Sequence, residues 1–352
     1  MSSIYINIPD VLDSNIKRKI ESSILIETDL RYNELKEKLV ESIYVKSPKN
    51  ELLSSSFLES LISRLNNYFF FDNEIEITLE LDIQSIKIKN LKEISKTKIN
   101  RLCCTNYSFF YDYFSDEKLI NRFFENIDLI SNFYRNYSID LIFGIPNLSN
   151  ETLEKFLNKL NKKGISHITL EEYNYRLNDI SCKEESFNKN LVIDQYNFCC
   201  EKFFQYGFEQ YDYLNFSRNG NYSKQNLNYW NRKPYIGFGP SACSFFEQSR
   251  SVNCSEPSDY LLEINEFKKP LNSEHLSEKD IYNETIMTGL SVSKGLSLLE
   301  IKTNFKSFDS YFQQKLKKNL RLGNLYLENN FIKVNQQHKY FTDKIASDFF
   351  KI

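Results

Sequence analysis

The sequence predicts an α/β protein built on a parallel sheet, closed or open, with a helical, winged-helix-like domain at its C-terminal end. Three observations carry this expectation. Short β-rich runs recur between longer segments with helical apolar spacing, and strands that alternate with helices build βα units. After about residue 255 the pattern changes to helix, helix, hairpin. A chain of 352 residues can also bury a large core, enough for two or three domains or for one barrel plus an appendage.

The β-rich runs, in order, are "SIYINI" (3–8), "EIEITLEL" (74–81), "NRLCC" (100–104), "SIDLIF" (138–143) and "SHITLEE" (166–172). Helical spacing marks "SSFLESLISRLNNYF" (55–69), "DEKLINRFFENIDLISNFY" (116–134) and "ETLEKFLNKLNKKG" (151–164). The last opens after Ser149-Asn150, good N-cap material, and stops at Gly164. In a (β/α) barrel the chemistry sits at the C-terminal strand ends. That rule places Pro9 to Arg18, Glu80, Thr105 to Tyr107 and Asp140 to Pro146 near one rim.

Further along, "SEKDIYNETIMTGLSV" and "SLLEIKTNF" read as helices, and "FQQKLKKNLRLG" spaces Phe312, Leu316 and Leu320 at i, i+4, i+8. "NLYLENNFIKV" reads as a hairpin turning at Glu328-Asn329-Asn330. Lys315, Lys317, Lys318 and Arg321 cluster on this unit and read as a solvated helix face before a nucleic-acid contact.

The bulk numbers exclude several classes. A formal net charge of −2 gives no general drive toward nucleic acid or an anionic membrane. No apolar run approaches the ~18 residues of a membrane span, and "MSSIYINIPDVLD" lacks the regions of a secretion signal. Seven scattered cysteines argue for a reducing compartment, so a cytoplasmic location is expected. No Walker A loop, HExxH, GxSxG or Cys-x-x-Cys occurs, and the three histidines, His167, His275 and His338, lie far apart.

One stretch stands out. The chain holds nine glycines, well under the usual share of about 7%, yet Gly237 and Gly239 stand one residue apart in "QNLNYWNRKPYIGFGPSACSFF" (225–246), beside the single Trp230. The longer block "GFEQYDYLNFSRNGNYSKQNLNYWNRKPYIGFGPSACSF" (207–245) resembles the signature of the oxygen-independent coproporphyrinogen-III-oxidase-like branch of the radical-SAM family, of the heme chaperone HemW type. That family carries His-Asn-x-x-Tyr-Trp followed by a Gly-x-Gly-Pro turn and Gly-Ala-His-Ser. "IDLIFGIPNLSNETLEKFLNKL" (139–160), "IYINIP" (4–9) and "NETIMTGLSVSKGLSL" (283–298) resemble further family segments, so the likeness spans nearly the whole chain in order.

The resemblance implies a partial (β/α)6 TIM-like barrel of the radical-SAM type over 1–175, a family-specific extension over 176–255 and the winged-helix-like domain over 256–352. It also implies a [4Fe–4S] cluster and S-adenosylmethionine, the cluster held by three Cys thiolates spaced Cys-x3-Cys-x2-Cys after the first strand. Here Val11, Asn15 and Arg18 occupy those positions, and none is a plausible iron ligand. Cys103 and Cys104 are adjacent on a strand and point to opposite faces, while Cys199 and Cys200 share a helix. The family's Gly-Gly-Gly-Thr-Pro loop aligns with "KSPKNE" (46–51), which has no glycine, and Tyr107 stands where the family has Gln.

Tyr5, Glu80 and Asp140 match family positions that line the S-adenosylmethionine site, and read either as an eroded nucleoside pocket or as structure with ordinary rim charges. The family's first His is Gln225 and its second is Cys243, while Asn226, Tyr229 and Trp230 still match. A Gln ligates iron poorly and a Cys thiolate does so well. Tyr229 and Trp230 read either as faces for a porphyrin or as core that braces the turn; Gly237 and Gly239 read either as a close approach to cofactor or as a tight turn.

Three functional readings stand at this level. The first is a cluster-deficient pseudoenzyme of the family, binding heme and a heme-accepting protein. The second is an active S-adenosylmethionine-dependent oxidoreductase or chaperone whose cluster ligands come from elsewhere, such as Cys103 or Cys243 with a partner subunit. The third is a protein-interaction module without catalysis.

Overall fold

The computed structural model describes residues 1–11, 13–46, 53–105, 114, 116–173 and 188–352. Strand β1 (Ser2–Asn7) leads into helix α1 (Ser14–Arg31), and the alternation continues through β2 (Leu39–Lys46), α2 (Ser55–Tyr68), β3 (Phe70–Asp82), α3 (Ile88–Ile94), β4 (Arg101–Thr105), α4 (Glu117–Ser131), β5 (Tyr137–Phe143), α5 (Asn150–Asn161) and β6 (His167–Glu172). These six strands are hydrogen-bonded in sequence order and all pairs are parallel. They curve about a cavity lined from β2 through β6, giving the expected (β/α)6 partial barrel.

Local chemistry sets the element ends. Ser149 Oγ accepts from the Thr152 N–H at the start of α5, and Gly164 follows the helix at φ +71, a left-handed position that glycine fills without strain. Asp116 accepts from the N–H groups of Lys118 and Leu119 at the start of α4. Both caps satisfy N–H groups that a helix start leaves open.

The sheet continues past both edges of the barrel. Next to β6 lie β7 (Glu209–Gln210) and β8 (Asn215–Ser217), with β8 antiparallel to β6. On the other side β9 (Tyr235–Phe238) pairs parallel with β1, and β10 (Cys243–Phe246), β11 (Ser249–Asn253) and β12 (Leu271–His275) follow antiparallel. The first core draws on residues from Ile4 to Ile264.

A second core runs from Tyr282 to Phe349. It joins helices Glu278–Ser291, Leu298–Asn304, Asp309–Arg321 and Thr342–Ser347 to a small sheet of β13 (Leu296–Ser297), β14 (Leu325–Glu328) and β15 (Phe331–Val334). Phe312 and Leu316 are buried in it, with Leu320 packed alongside. The hairpin turns on Asn329 (φ 50) and Asn330 (φ 66), the positive pair a two-residue turn requires. Lys315 and Lys318 both pair with Asp348 at 3.0 Å, so part of the basic cluster is neutralised within the fold. Among the described residues no helix is long and apolar enough to cross a membrane.

Candidate functional site

Inside the barrel, alternate strand residues face a cavity of ≈ 320 Å³ lined by Tyr44, Lys46, Glu80, Arg101, Cys103, Asp140 and Glu171, among others. Strand periodicity explains the set: residues two apart share a face. The Tyr44 hydroxyl donates to Glu80 Oε2 at 2.7 Å, and Cys103 Sγ lies 3.8 Å from both Asp140 oxygens. Burial, then the Glu171 and Glu80 charges, pushes the Asp140 carboxyl well above its ordinary range. Glu171 is raised by burial and by Glu80, and Cys103 by burial, Asp140 and Glu80. Cys103 is therefore held as a thiol.

Deeper in the barrel, Arg101 Nε faces Glu76 at 3.7 Å with both side chains buried. His167 Nε2 is 2.7 Å from the Tyr211 hydroxyl, which also accepts from Asn226 Nδ2 at 3.2 Å. Burial, and then the Arg101 charge, holds the imidazole well below its ordinary pKa, so it is neutral. Arg101, His167, Glu171 and Tyr44 were not singled out from sequence. Their signal was the alternation of polar residues along strands, which reads equally well as a solvent face.

Tyr5, Glu80 and Asp140 are brought together here. The Tyr5 ring stacks on Tyr44 with centroids 5.9 Å apart, and its phenol is raised by burial, by Glu80 and by Cys243. Glu80 and Asp140 are 7% and 6% exposed and line the barrel cavity.

The donor set at the start of α1 does not fit an iron–sulfur cluster. Val11 packs half-buried on the core, and Asn15 and Arg18 lie exposed on α1, whose first turn is capped by Asp13. None of the three offers a thiolate. Cys104, Cys199 and Cys200 are buried in the core, and among the described residues no three His, Cys, Asp or Glu side chains are grouped to hold a metal. Tyr107 and residues 47–51 of the aligned glycine-loop segment lie outside the described residues.

A second arrangement lies along β1, β9, β10 and β11. Register pairs Tyr5 with Gly237, Tyr235 with Phe245 and Phe245 with Arg250. Cys243, two residues before Phe245, is half-buried, and its backbone lies against Gly237, the register partner of Tyr5. Tyr229 meets Tyr235 edge-on at 4.9 Å. The Gly-x-Gly-Pro turn is pressed by protein backbone: a Cβ on Gly237 would stand 2.2 Å from the Cys243 oxygen, and one on Gly239 2.1 Å from the Asn7 oxygen.

The remaining motif residues sit elsewhere. Gln225 is buried, and its Oε1 accepts from Ser42 Oγ at 2.8 Å. Asn226 lines the barrel cavity. The Trp230 indole N–H donates to Asp212 Oδ2 at 2.7 Å and its ring meets Tyr213 edge-on. The polar core behind β9 and β10, where Arg31 donates to the Gly237 carbonyl and Ser244 Oγ, was also missed from sequence.

No family model matches the chain. Its sequence is 23% identical over 335 residues to the heme chaperone HemW of Bacillus subtilis (strain 168), covering 88% of this chain and 85% of that protein. It is 25% identical over 328 residues to HemW of Lactococcus lactis subsp. lactis (strain IL1403), covering 86% and 81%. Coproporphyrinogen III oxidase (HemN) from Escherichia coli, a radical SAM enzyme, superposes with a TM-score of 0.82 at 16% identity, covering 99% of this chain and 89% of that chain. At that identity the superposition speaks for the fold.

Proposed function

We propose that the chain, whose likeness to heme chaperone HemW proteins spans most of its length and whose fold is that of HemN, is a cluster-deficient, cytoplasmic heme carrier. Its partners are heme and a heme-accepting protein. The carrying observation is Cys243, a half-buried thiol whose backbone lies against Gly237, the register partner of Tyr5, and which stands two residues before Phe245, the register partner of Tyr235. It stands at one of the two positions where the family has a histidine. A Cys thiolate is a competent axial ligand, and aromatic faces suit a porphyrin. The other position, Gln225, is spent on Ser42 and offers iron nothing.

Loss of radical chemistry is proposed from the donor set, since Val11, Asn15 and Arg18 supply no thiolate. The barrel interior keeps Tyr5, Glu80 and Asp140, and its acidic lining suits amine or hydroxyl donors. S-adenosylmethionine bound there would be a passive ligand.

A hemin titration read at the Soret band, on wild type and on Cys243→Ala, tests the proposal. A saturable band lost in the variant is the expected result. Stoichiometric iron and sulfide after anaerobic reconstitution, or reductive cleavage of S-adenosylmethionine to 5′-deoxyadenosine, would overturn it in favour of an active enzyme with ligands from elsewhere.

A further inference from the structure

We propose that the face bearing Cys243 continues into a carboxylate-reading site made by Arg232 and Arg250, which seats the acidic edge of a planar tetrapyrrole. The inference rests on the heme reading above and extends it to two arginines that the family motifs do not specify.

A cavity of ≈ 280 Å³ opens at the end of this face, lined by Tyr229, Arg232, Tyr235, Phe245, Arg250 and Met287. Drug-sized ligands occupy roughly 300–1,000 Å³, so this space holds an edge of a tetrapyrrole, with the rest lying along the strands. Cys243 and Phe245 are two residues apart on β10, about 7 Å along a strand, and Phe245 is in register with Arg250. A ligand whose metal meets Cys243 would therefore extend its rim toward the arginines.

The cationic end is built on aromatic surface. The Arg232 guanidinium stands 5.4 Å over the Phe245 ring, and Tyr235 and Phe245 are themselves 6.2 Å apart. Arg232 Nη2 pairs with Glu284 at 3.0 Å, and Nη1 donates to Thr285 Oγ1. Arg250 shares the same Glu284 and reaches Glu274 at 3.6 Å, the latter largely in solvent. Two guanidinium groups thus share one partly buried carboxylate. Arg232 Nε, shielded from solvent, has no acceptor among the described residues. Unmet N–H groups of this kind are costly, and planar guanidinium forks match carboxylates bidentately. Glu284 lies on helix Glu278–Ser291 of the second core, so a ligand carboxylate would compete with that helix for the arginines.

The test compares iron protoporphyrin IX with its dimethyl ester, and metal-free protoporphyrin IX with its ester by fluorescence, on wild type, Arg232→Gln/Arg250→Gln, Glu284→Gln and Cys243→Ala. Wild type should prefer each acid over its ester by roughly tenfold or more. The arginine double variant should lose that preference and Glu284→Gln should increase it, which separates recognition from misfolding. The metal-free pair should discriminate in Cys243→Ala as well. Equal binding of acid and ester to wild type, with a Cys243-dependent Soret band intact, overturns this inference and leaves the heme reading standing. Absence of any porphyrin binding to wild type overturns both.

Discussion

Gly239 turns at φ +97 against the end of β1, where a Cβ would stand 2.1 Å from the Asn7 backbone oxygen. Asn7 also closes the contact from its side chain, donating through Nδ2 to the Pro240 carbonyl at 2.6 Å. Gly239→Ala meets both a left-handed backbone and a backbone clash, and should cost about 3 kcal/mol. Gly220, at φ +74 with open space around its Cβ position, is the control, and Gly220→Ala should cost about 1 kcal/mol. Urea unfolding of the two variants decides; equal losses would remove the packing argument for Gly239.

Behind that turn, Glu27 accepts from Arg31 at 2.5 Å, from Asn253 and Tyr260 at 2.7 Å and from the Gly239 N–H at 2.8 Å. Arg31 in turn donates to the Gly237 carbonyl at 2.9 Å and to Ser244 Oγ at 3.1 Å. Neither side chain of the pair is exposed. Removing one member strands the other's charge, so Arg31→Met should cost about 3–5 kcal/mol. Arg31→Met/Glu27→Leu should cost much less than the sum of the singles, because no buried charge remains unpaired. Additive losses in a double-mutant cycle would show that the pair does not act as a unit.

That network marks the limit of what the residues disclosed beforehand. Elements with local signatures were legible: the Ser149 cap, the Gly164 stop and the Asn329-Asn330 hairpin all stand where spacing placed them. Strand β2 was not marked, and neither were β9 to β12, which are only four or five residues long. Such strands are held by their neighbours, and pairing of that kind leaves little trace in local sequence. Glu27 and Arg31, four apart on α1, carry no local mark of burial, because burial there is imposed by β9, β10 and helix Pro257–Asn265. Resemblance located Tyr5, Glu80, Asp140 and Cys243. It could not disclose Arg232 and Arg250, whose meeting depends on the second core supplying Glu284.

Asp212 gathers four donors: the Leu214 and Asn215 backbone N–H groups, the Asn215 side chain and the Trp230 indole. Asp212→Ala leaves these donors without an acceptor and should cost at least about 2 kcal/mol. Trp230→Phe, which withdraws one donor, should cost about 1 kcal/mol. Trp230 is the only tryptophan, so emission in Asp212→Ala reports the same event and should change as the indole loses its partner. Unchanged emission would mean that the bond does not persist in solution.

Asp140 offers a test by pH. Its carboxyl is raised in the folded state by burial, Glu171 and Glu80, with Thr169 and Arg101 opposing. An acid whose folded pKa lies above its unfolded value binds more protons when folded, so it destabilises the fold as pH rises above the ordinary value of 3.8. Asp140→Asn removes that penalty. The variant should melt above wild type at pH 7, and the difference should shrink steadily as pH falls toward 4. Melting curves from pH 4 to 8 measure this. A variant less stable than wild type at pH 7 would place Asp140 as an ionised partner of Arg101 or Lys46 instead. A gain would mark the carboxylate as one that folding does not require, kept in a polar cavity at the expense of stability, which is the pattern of a retained binding residue.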